Sequence, residues 1–196
     1  MKRIILISGK SGSGKDTFAK FLQEVLEADG QRILVIHFAD MVKEYAKLYY
    51  KWNGEKDISG RQLLQQMGTN EVRSVFKNYW ADLVAQFIKA TENDWDYALI
   101  PDLRFLNELK RVKKFNKGKC VSVGIRRYTD DGEIWENPLL TEEQRNHPSE
   151  VDLDDYCLDV YVDNIGPFEG MKDSAIEFLE KIGEREWRMM NGFHLE

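Results

Sequence analysis

The sequence predicts an α/β domain of three layers, a parallel sheet covered by helices on both faces. Three observations carry that expectation. Apolar runs of strand length recur along the chain, they alternate with segments of helical periodicity, and the runs are too continuously apolar to have one face in water. At 196 residues, with 42% hydrophobic and 32% charged residues, the chain is the size of one domain with an inserted flap and has enough apolar material to bury a core.

The first run, residues 3–7 (RIILI), is β-branched and ends in glycines, as a buried strand feeding a tight turn does. Phe18, Phe21, Leu22, Val25 and Leu26 then share one helical face, closed by Gly30 at a C-cap position. Residues 33–38 (ILVIHF) form the second strand, followed by a helix over 41–50. A polar loop over 51–60 leads into a helical stretch without strands. It is marked by Leu63, Leu64 and Met67 and then by Trp80, Leu83, Val84, Phe87 and Ile88.

The third strand covers 97–100 and ends at Pro101-Asp102, with Leu106, Leu109 and Val112 marking the next helix. The fourth strand is 120–125. From 128 to 150 the chain is polar, acidic and aperiodic; a loop of that length in a compact domain is commonly functional, and it reads as a movable flap. Residues 158–162 are the fifth strand, and Met171, Ala175, Ile176, Leu179 and Ile182 form the last amphipathic helix. Ligands of such a sheet bind at the carboxyl ends of its strands.

Twenty-eight Lys and Arg stand against 34 Asp and Glu, a net charge of −6. A surface of that sign repels nucleic acid polymers and anionic membranes, so an anionic small molecule must be held by a local cluster of cations. The two cysteines, Cys120 and Cys157, make neither a metal-binding pair nor a disulfide framework, which favours a reducing compartment. The apolar run after Lys2 and Arg3 stops at Ser8-Gly9-Lys10, short of the roughly 7–15 residues of a secretory core or the ~20 of a membrane span. A cytoplasmic location is expected.

Gly9-Lys10-Ser11-Gly12-Ser13-Gly14-Lys15-Asp16 satisfies G-x-x-x-x-G-K between a strand and a helix. Glycines let the backbone curl so that successive N–H groups point at phosphate oxygens, the helix terminus adds its positive dipole, and Lys15 reaches the β- and γ-phosphates. Gly9, Ser11, Gly12, Ser13, Gly14, Lys15, Asp16 and Thr17 are therefore the expected ATP-binding residues. Asp16 stands where a Ser or Thr hydroxyl ordinarily binds Mg²⁺. It has two readings, a water-mediated Mg²⁺ ligand or an acid complementing the helix dipole. Asp102, at the end of the third strand, is placed either as a second carboxylate near Mg²⁺ or as a turn residue. Arg104, two residues on, favours a metal–phosphate site.

The GKSGSGKDT loop, the FAD at 38–40, GRQLLQQMGTNEVR at 60–73, DLRFLNE at 102–108 and the HPSEVDLDDY…VDN segment at 147–164 together resemble phage-type deoxynucleoside monophosphate kinases. The resemblance implies a P-loop kinase fold with sheet order 2-3-1-4-5, ATP as donor, Mg²⁺, and a deoxynucleoside monophosphate as acceptor, in a host cytoplasm if the protein is phage-encoded. It implies one domain over 1–196, an acceptor-binding helical region at 41–78 and a lid at 127–150.

Carried onto this sequence, Lys15 polarises the ATP phosphates, and Arg61, Arg73 and Arg104 grip the acceptor phosphate. Arg126 and Arg127, after the fourth strand, and Arg145 are lid arginines for the charge of the transferring group. Asp40 orients the acceptor or caps the following helix, Gln65 is available to read a base edge, and Tyr49 and Trp52 are stacking candidates or core residues.

Phosphomevalonate kinases of the animal type share the GKD loop and a D-x-R strand end, and they are the alternative acceptor class. A non-kinase nucleotide-binding module is the third reading. A GTPase switch is set aside because Lys119 stands where a guanine-binding Asp would be and Asp57 follows no apolar strand. The sequence leaves a homodimer open.

Overall fold

The computed structural model describes residues 2–55, 57–165 and 170–190, with the side chains of residues 58, 61, 65, 69–71 and 184–190 outside the description. In chain order the elements are β1 (Arg3–Gly9), α1 (Lys15–Ala28), β2 (Ile33–Val35), α2 (Phe38–Tyr50), α3 (Ile58–Gln65), a π-helical turn (Gln66–Glu71), α4 (Val72–Val75), α5 (Tyr79–Ala90), β3 (Tyr97–Leu103), α6 (Leu106–Phe115), β4 (Cys120–Arg127), α7 (Glu142–Arg145), α8 (Pro148–Val151), β5 (Val160–Asn164) and α9 (Gly170–Met190).

Strand β1 lies at the centre of an all-parallel sheet of order β2-β3-β1-β4-β5, the order that the resemblance implies. Its side chains alternate between two cores, as a period of two requires. Ile5 and Ile7 pack with Phe18 and Leu22 of α1 and Phe178 and Ile182 of α9. Ile4 and Leu6 pack on the other face with Val84 and Ile88 of α5 and Leu109 of α6. Both faces are covered, which is why the run is apolar at every position. Across the first core the Phe18 and Phe178 rings meet edge to face, 5.6 Å between centroids. Among the described residues no helix is long and apolar enough to cross a membrane.

Several element boundaries differ from the sequence expectation, each for a local reason. Strand β2 ends at Val35 rather than 38, because the Phe38 and Ala39 N–H groups open helix α2 and donate to the Asp102 carboxylate at 2.9 and 3.1 Å. Phe38 is buried all the same, so its apolarity marked burial and not strand. Strand β3 runs past Pro101 to Leu103. Its register with β1 shifts between Leu6 and Ser8, and a residue without an N–H is tolerated at such a bulge.

Arg126 and Arg127 are the last two residues of β4, opposite Asp163 and Asn164 of β5, not the start of the flap. Strand β5 begins at Val160 because the Asp159 carboxylate turns to Ser122, accepting from its N–H at 2.8 Å and its hydroxyl at 2.6 Å. The 128–150 segment is not structureless: Tyr128 bridges Ile134, α7 is capped by Thr141, and α8 begins at Pro148 behind a His147 cap.

The starts of β2 and β3 are tied by Asp96, whose carboxylate accepts from the Arg32 N–H and from both Nε and Nη2 of its guanidinium, all at 3.0 Å. The Arg32 side-chain hydrogen bond holds the Asp96 carboxyl down at about 2. A folded value below the unfolded one of about 3.9 stabilises the fold above that pH, an effect lost as the pH falls toward 2. Asp96→Asn is expected to lower the urea midpoint at pH 7. The gap to the parent should narrow as the pH approaches 2, and a gap that is constant with pH would contradict this account.

Candidate active site

The chain leaves β1 at Gly9 and re-enters helix at Lys15, and between them Gly12 (φ +81°) and Gly14 (φ +95°) take left-handed conformations that side-chain-bearing residues rarely adopt. Gly14 is the N-cap of α1 and supplies no side-chain acceptor, so the first amides of that helix face the loop without a carboxylate or hydroxyl on them. The Ser13 hydroxyl is buried and has no hydrogen-bond partner among the described residues. Lys15 is buried beneath the loop. Its proton affinity is lowered by burial first and by the positive charge of Arg104 next, against the raising effects of Asp16, Glu150 and Asp102. These are the features of an anion cradle: donors without a partner among the described residues, a helix terminus and a desolvated cation.

Three cavities lie along this edge of the sheet. A cavity of 370 Å³ at the mouth of the loop is lined by Gly12, Gly14, Lys15, Asp16, Thr17 and Arg127, with Asn164 and Met171 beyond. A second, of 340 Å³, lies between the loop, the end of β4 and the flap. A third, of 260 Å³, lies over β3 and α2 and carries Lys43, Arg73 and Arg104 among Phe38, Val42, Leu64 and Phe105. Arg104 borders the second and third, and Arg127 the first and second.

The cations of the cleft are held by named partners. Arg73 gives Nε to the Gly68 carbonyl at 3.0 Å and Nη2 to Glu108 at 2.6 Å, with its guanidinium 4.2 Å from the centre of the Phe105 ring. Arg104 pairs with Glu150 through Nη1, which also reaches the Ser149 carbonyl at 3.3 Å. Lys10 bonds the Asp154 carboxylate at 2.7 Å. Arg127 donates to the Gly12 carbonyl at 3.2 Å and lies 4.3 Å from the Trp135 ring centre, while Arg126 lies 3.6 Å from that of Tyr161.

The acids take distinct places. Both oxygens of Asp102 accept from the N-terminal N–H groups of α2, and burial pushes its carboxyl up despite them. Asp102 also lines the 260 Å³ cavity. Asp16 is exposed at the loop mouth, 3.7 Å from Lys15. Asp40 is engaged on both oxygens, with the His37 N–H at 2.9 Å and Lys43 at 2.8 Å, and it does not line that cavity. It completes the capping box of α2 from the third helical position, which is the capping alternative in a slightly different place.

Arg145 faces Glu136 at 3.7 Å and borders none of the three cavities. The side chains of Arg61 and Gln65 lie outside the described residues. Tyr49 stacks on Tyr45, and Trp52 donates to the Glu55 carbonyl beside the small core of Val42 and Met67, away from the cavity.

Sequence reasoning missed four participants. Glu108 is buried and joins Arg73 to the backbone of Arg104 and Phe105; its signal was its place four residues after Arg104 at a helix start. Glu150, within the HPSEVDLDDY segment, accepts the Ser11 N–H of the loop at 2.9 Å with its carboxylate as well as binding Arg104. Trp135 lies over Gly12, and Asn164 donates to the Ser13 carbonyl at 2.9 Å. These last two come from segments distant in sequence and have no local signature.

A Cβ on Gly12 would stand 2.7 Å from the Trp135 ring at a left-handed φ. Gly12→Ala is expected to cost about 1–2 kcal/mol of stability and to release the 128–150 segment, seen as faster tryptic cleavage at Arg145. Parental stability with parental cleavage would contradict the packing described.

With this geometry established, the chain can be set against known proteins. The tunicamycin resistance protein of Deinococcus radiodurans superposes with a TM-score of 0.52 at 14% identity, covering 91% of this chain and 96% of that one. An unliganded sugar kinase from Janibacter sp. HTCC2649 gives 0.51 at 12% identity, over 92% and 95%. At such identities these likenesses speak for the fold alone, the P-loop kinase fold. A search of curated proteins finds no match. The sequence profile of deoxynucleotide monophosphate kinases matches residues 25–143, more than half of the chain. The chain therefore belongs to the deoxynucleotide monophosphate kinase family and is a phosphotransferase acting on nucleotides or other small molecules.

Proposed function

We propose that the protein transfers the γ-phosphoryl group of ATP to a deoxynucleoside 5′-monophosphate, giving the diphosphate and ADP. The observation that carries this reading is the 260 Å³ cavity beside the phosphate loop, whose lining holds three cations, Lys43, Arg73 and Arg104, against two acids, Asp102 and Glu108, together with the apolar side chains of Phe38, Val42, Leu64 and Phe105. The cations suit a phosphate, and flat apolar walls suit a base. A small acyclic acceptor such as phosphomevalonate, with a carboxylate and no flat ring, would leave those walls unmatched, which favours the nucleotide.

The loop amides and Lys15 hold the donor phosphates, and Arg104, at the border of two cavities and close enough to depress Lys15, faces the junction where an oxygen of the acceptor phosphate attacks the γ-phosphorus. The bond from that phosphorus to the bridging oxygen breaks, and ADP leaves. No general base is required, since the attacking oxygen is already anionic near neutral pH. The chain's own work is to align two polyanions and offset their charge.

Among the described residues no three acidic, His or Cys side chains converge as a metal cage. Mg²⁺ in such sites uses one or two carboxylates, waters and the substrate phosphates. Asp16, exposed at the mouth, and Asp102, whose oxygens each accept one N–H among the described residues, are the carboxylates that would hold the ion; when bound it would neutralise phosphate charge. Residues 128–150 act as the lid, one residue shorter than the 127–150 expected because Arg127 ends β4. Arg127 is fixed in β4, and Trp135 and Asn137 reach Gly12 and Ser11 of the loop, the latter at 3.2 Å, which keeps water from the junction. Arg126 supports the same end from its stack on Tyr161.

The test is ADP formation from Mg-ATP against a panel of deoxy- and ribonucleoside monophosphates, with mevalonate 5-phosphate and a no-acceptor control. Stimulation by deoxynucleotides is expected, and turnover with mevalonate 5-phosphate alone would overturn the acceptor class. Lys15→Ala should abolish turnover with an unchanged melting temperature; an active variant would refute the loop's role. Arg104→Ala should lower the acceptor-dependent rate by roughly 10²–10³-fold, and a selective loss of ATP affinity would contradict the place given to it.

A further inference from the structure

Glu108 is fully buried, and burial pushes its carboxyl up to about 7 against the pull of the Arg73 guanidinium. One oxygen accepts the N–H groups of Arg104 and Phe105, each at 3.0 Å, the capping of α6 that an amide oxygen would serve as well. The other accepts Nη2 of Arg73 at 2.6 Å. Burying a carboxylate is unfavourable unless it is paired, so the charge at position 108 is explained by Arg73 and not by the cap.

Arg73 is thereby oriented on three sides. The Gly68 carbonyl takes Nε, Glu108 takes Nη2, and the Phe105 ring lies against its plane, leaving Nη1 without a hydrogen-bond partner among the described residues in a wall of the acceptor cavity. An arginine is long and flexible, and a phosphate binds more tightly to a guanidinium whose direction is already set.

We infer that Glu108 is a positioning residue for the acceptor phosphate: it holds the Arg73 guanidinium with its unbonded Nη1 toward the cavity while fixing the backbone from which Arg104 projects. This rests on the acceptor role given to that cavity above, and the test separates the two. Glu108→Gln retains an oxygen for the cap but presents either an amide donor or no charge to Arg73.

With the best acceptor from the panel, Glu108→Gln is expected to raise the KM for acceptor roughly tenfold, like the loss of any charge-assisted partner. The KM for ATP and the melting temperature should stay at parental values. Arg73→Ala should raise the same KM at least as far, and the double variant should be no worse than Arg73→Ala alone, because Glu108 acts through Arg73. A parental KM in Glu108→Gln, or losses that multiply in the double variant, would overturn the inference while leaving the cavity's role intact. An unaffected Arg73→Ala would remove both. If Glu108→Gln melts early, Glu108→Asp keeps the charge but draws it back from Arg73; a raised acceptor KM supports the inference and a parental one overturns it.

Discussion

Like charges gathered in a cleft repel one another unless each meets an anion, and the edge of the sheet is organised around that constraint. Lys15 shows it directly, its proton held less tightly because it is buried and because Arg104 is near. Four others are neutralised pair by pair, Arg104 by Glu150, Arg73 by Glu108, Lys10 by Asp154 and Lys43 by Asp40, while Arg126 and Arg127 lie against aromatic rings. A chain with a net charge of −6 has acids in excess, and it stations several of them here. The helix termini follow the same logic. The N-terminus of α2 is closed by Asp102, whereas that of α1 begins behind Gly14 with no side-chain cap among the described residues.

Much of the fold was legible because its signals are local. The five apolar runs are the five strands, and the glycine-lysine loop lies where a strand hands over to a helix. The boundaries were less legible, since they depend on partners far along the chain. Nothing within 33–38 says that Asp102 will take the N–H groups of Phe38 and Ala39, and nothing near Pro101 reveals the register shift against β1 that admits it into β3. The order inside the flap was not legible from periodicity: its short helices are fixed by local caps, and its place by Trp135 over Gly12, a contact across more than a hundred residues.

The candidate site divides in the same way. Lys15 and Arg104 were candidates from the residue types phosphate chemistry demands and Arg73 from the family resemblance, whereas Glu108 and Glu150 were not named among them because an acid is not what one seeks at an anion site. Their presence follows only once the cations are seen to be buried. The family profile begins at residue 25, past the phosphate loop, and ends at 143, so it rests on the helical region, β3 and the start of the flap. The loop motif and the profile thus read different parts of the chain and agree on a kinase.

The hydrogen bond from the Ser11 N–H to the Glu150 carboxylate has a further consequence. Glu150 is tethered to the protein, so at this amide it is an intramolecular competitor, present at an effective concentration that dilution cannot lower. A lone small anion entering the loop gains little by the exchange, since it trades one carboxylate contact for one of its own. A polyphosphate brings several oxygens to several amides at once and gains the remainder of the cradle. Such a tethered competitor weighs most against a ligand that makes a single contact and least against one that makes several at once.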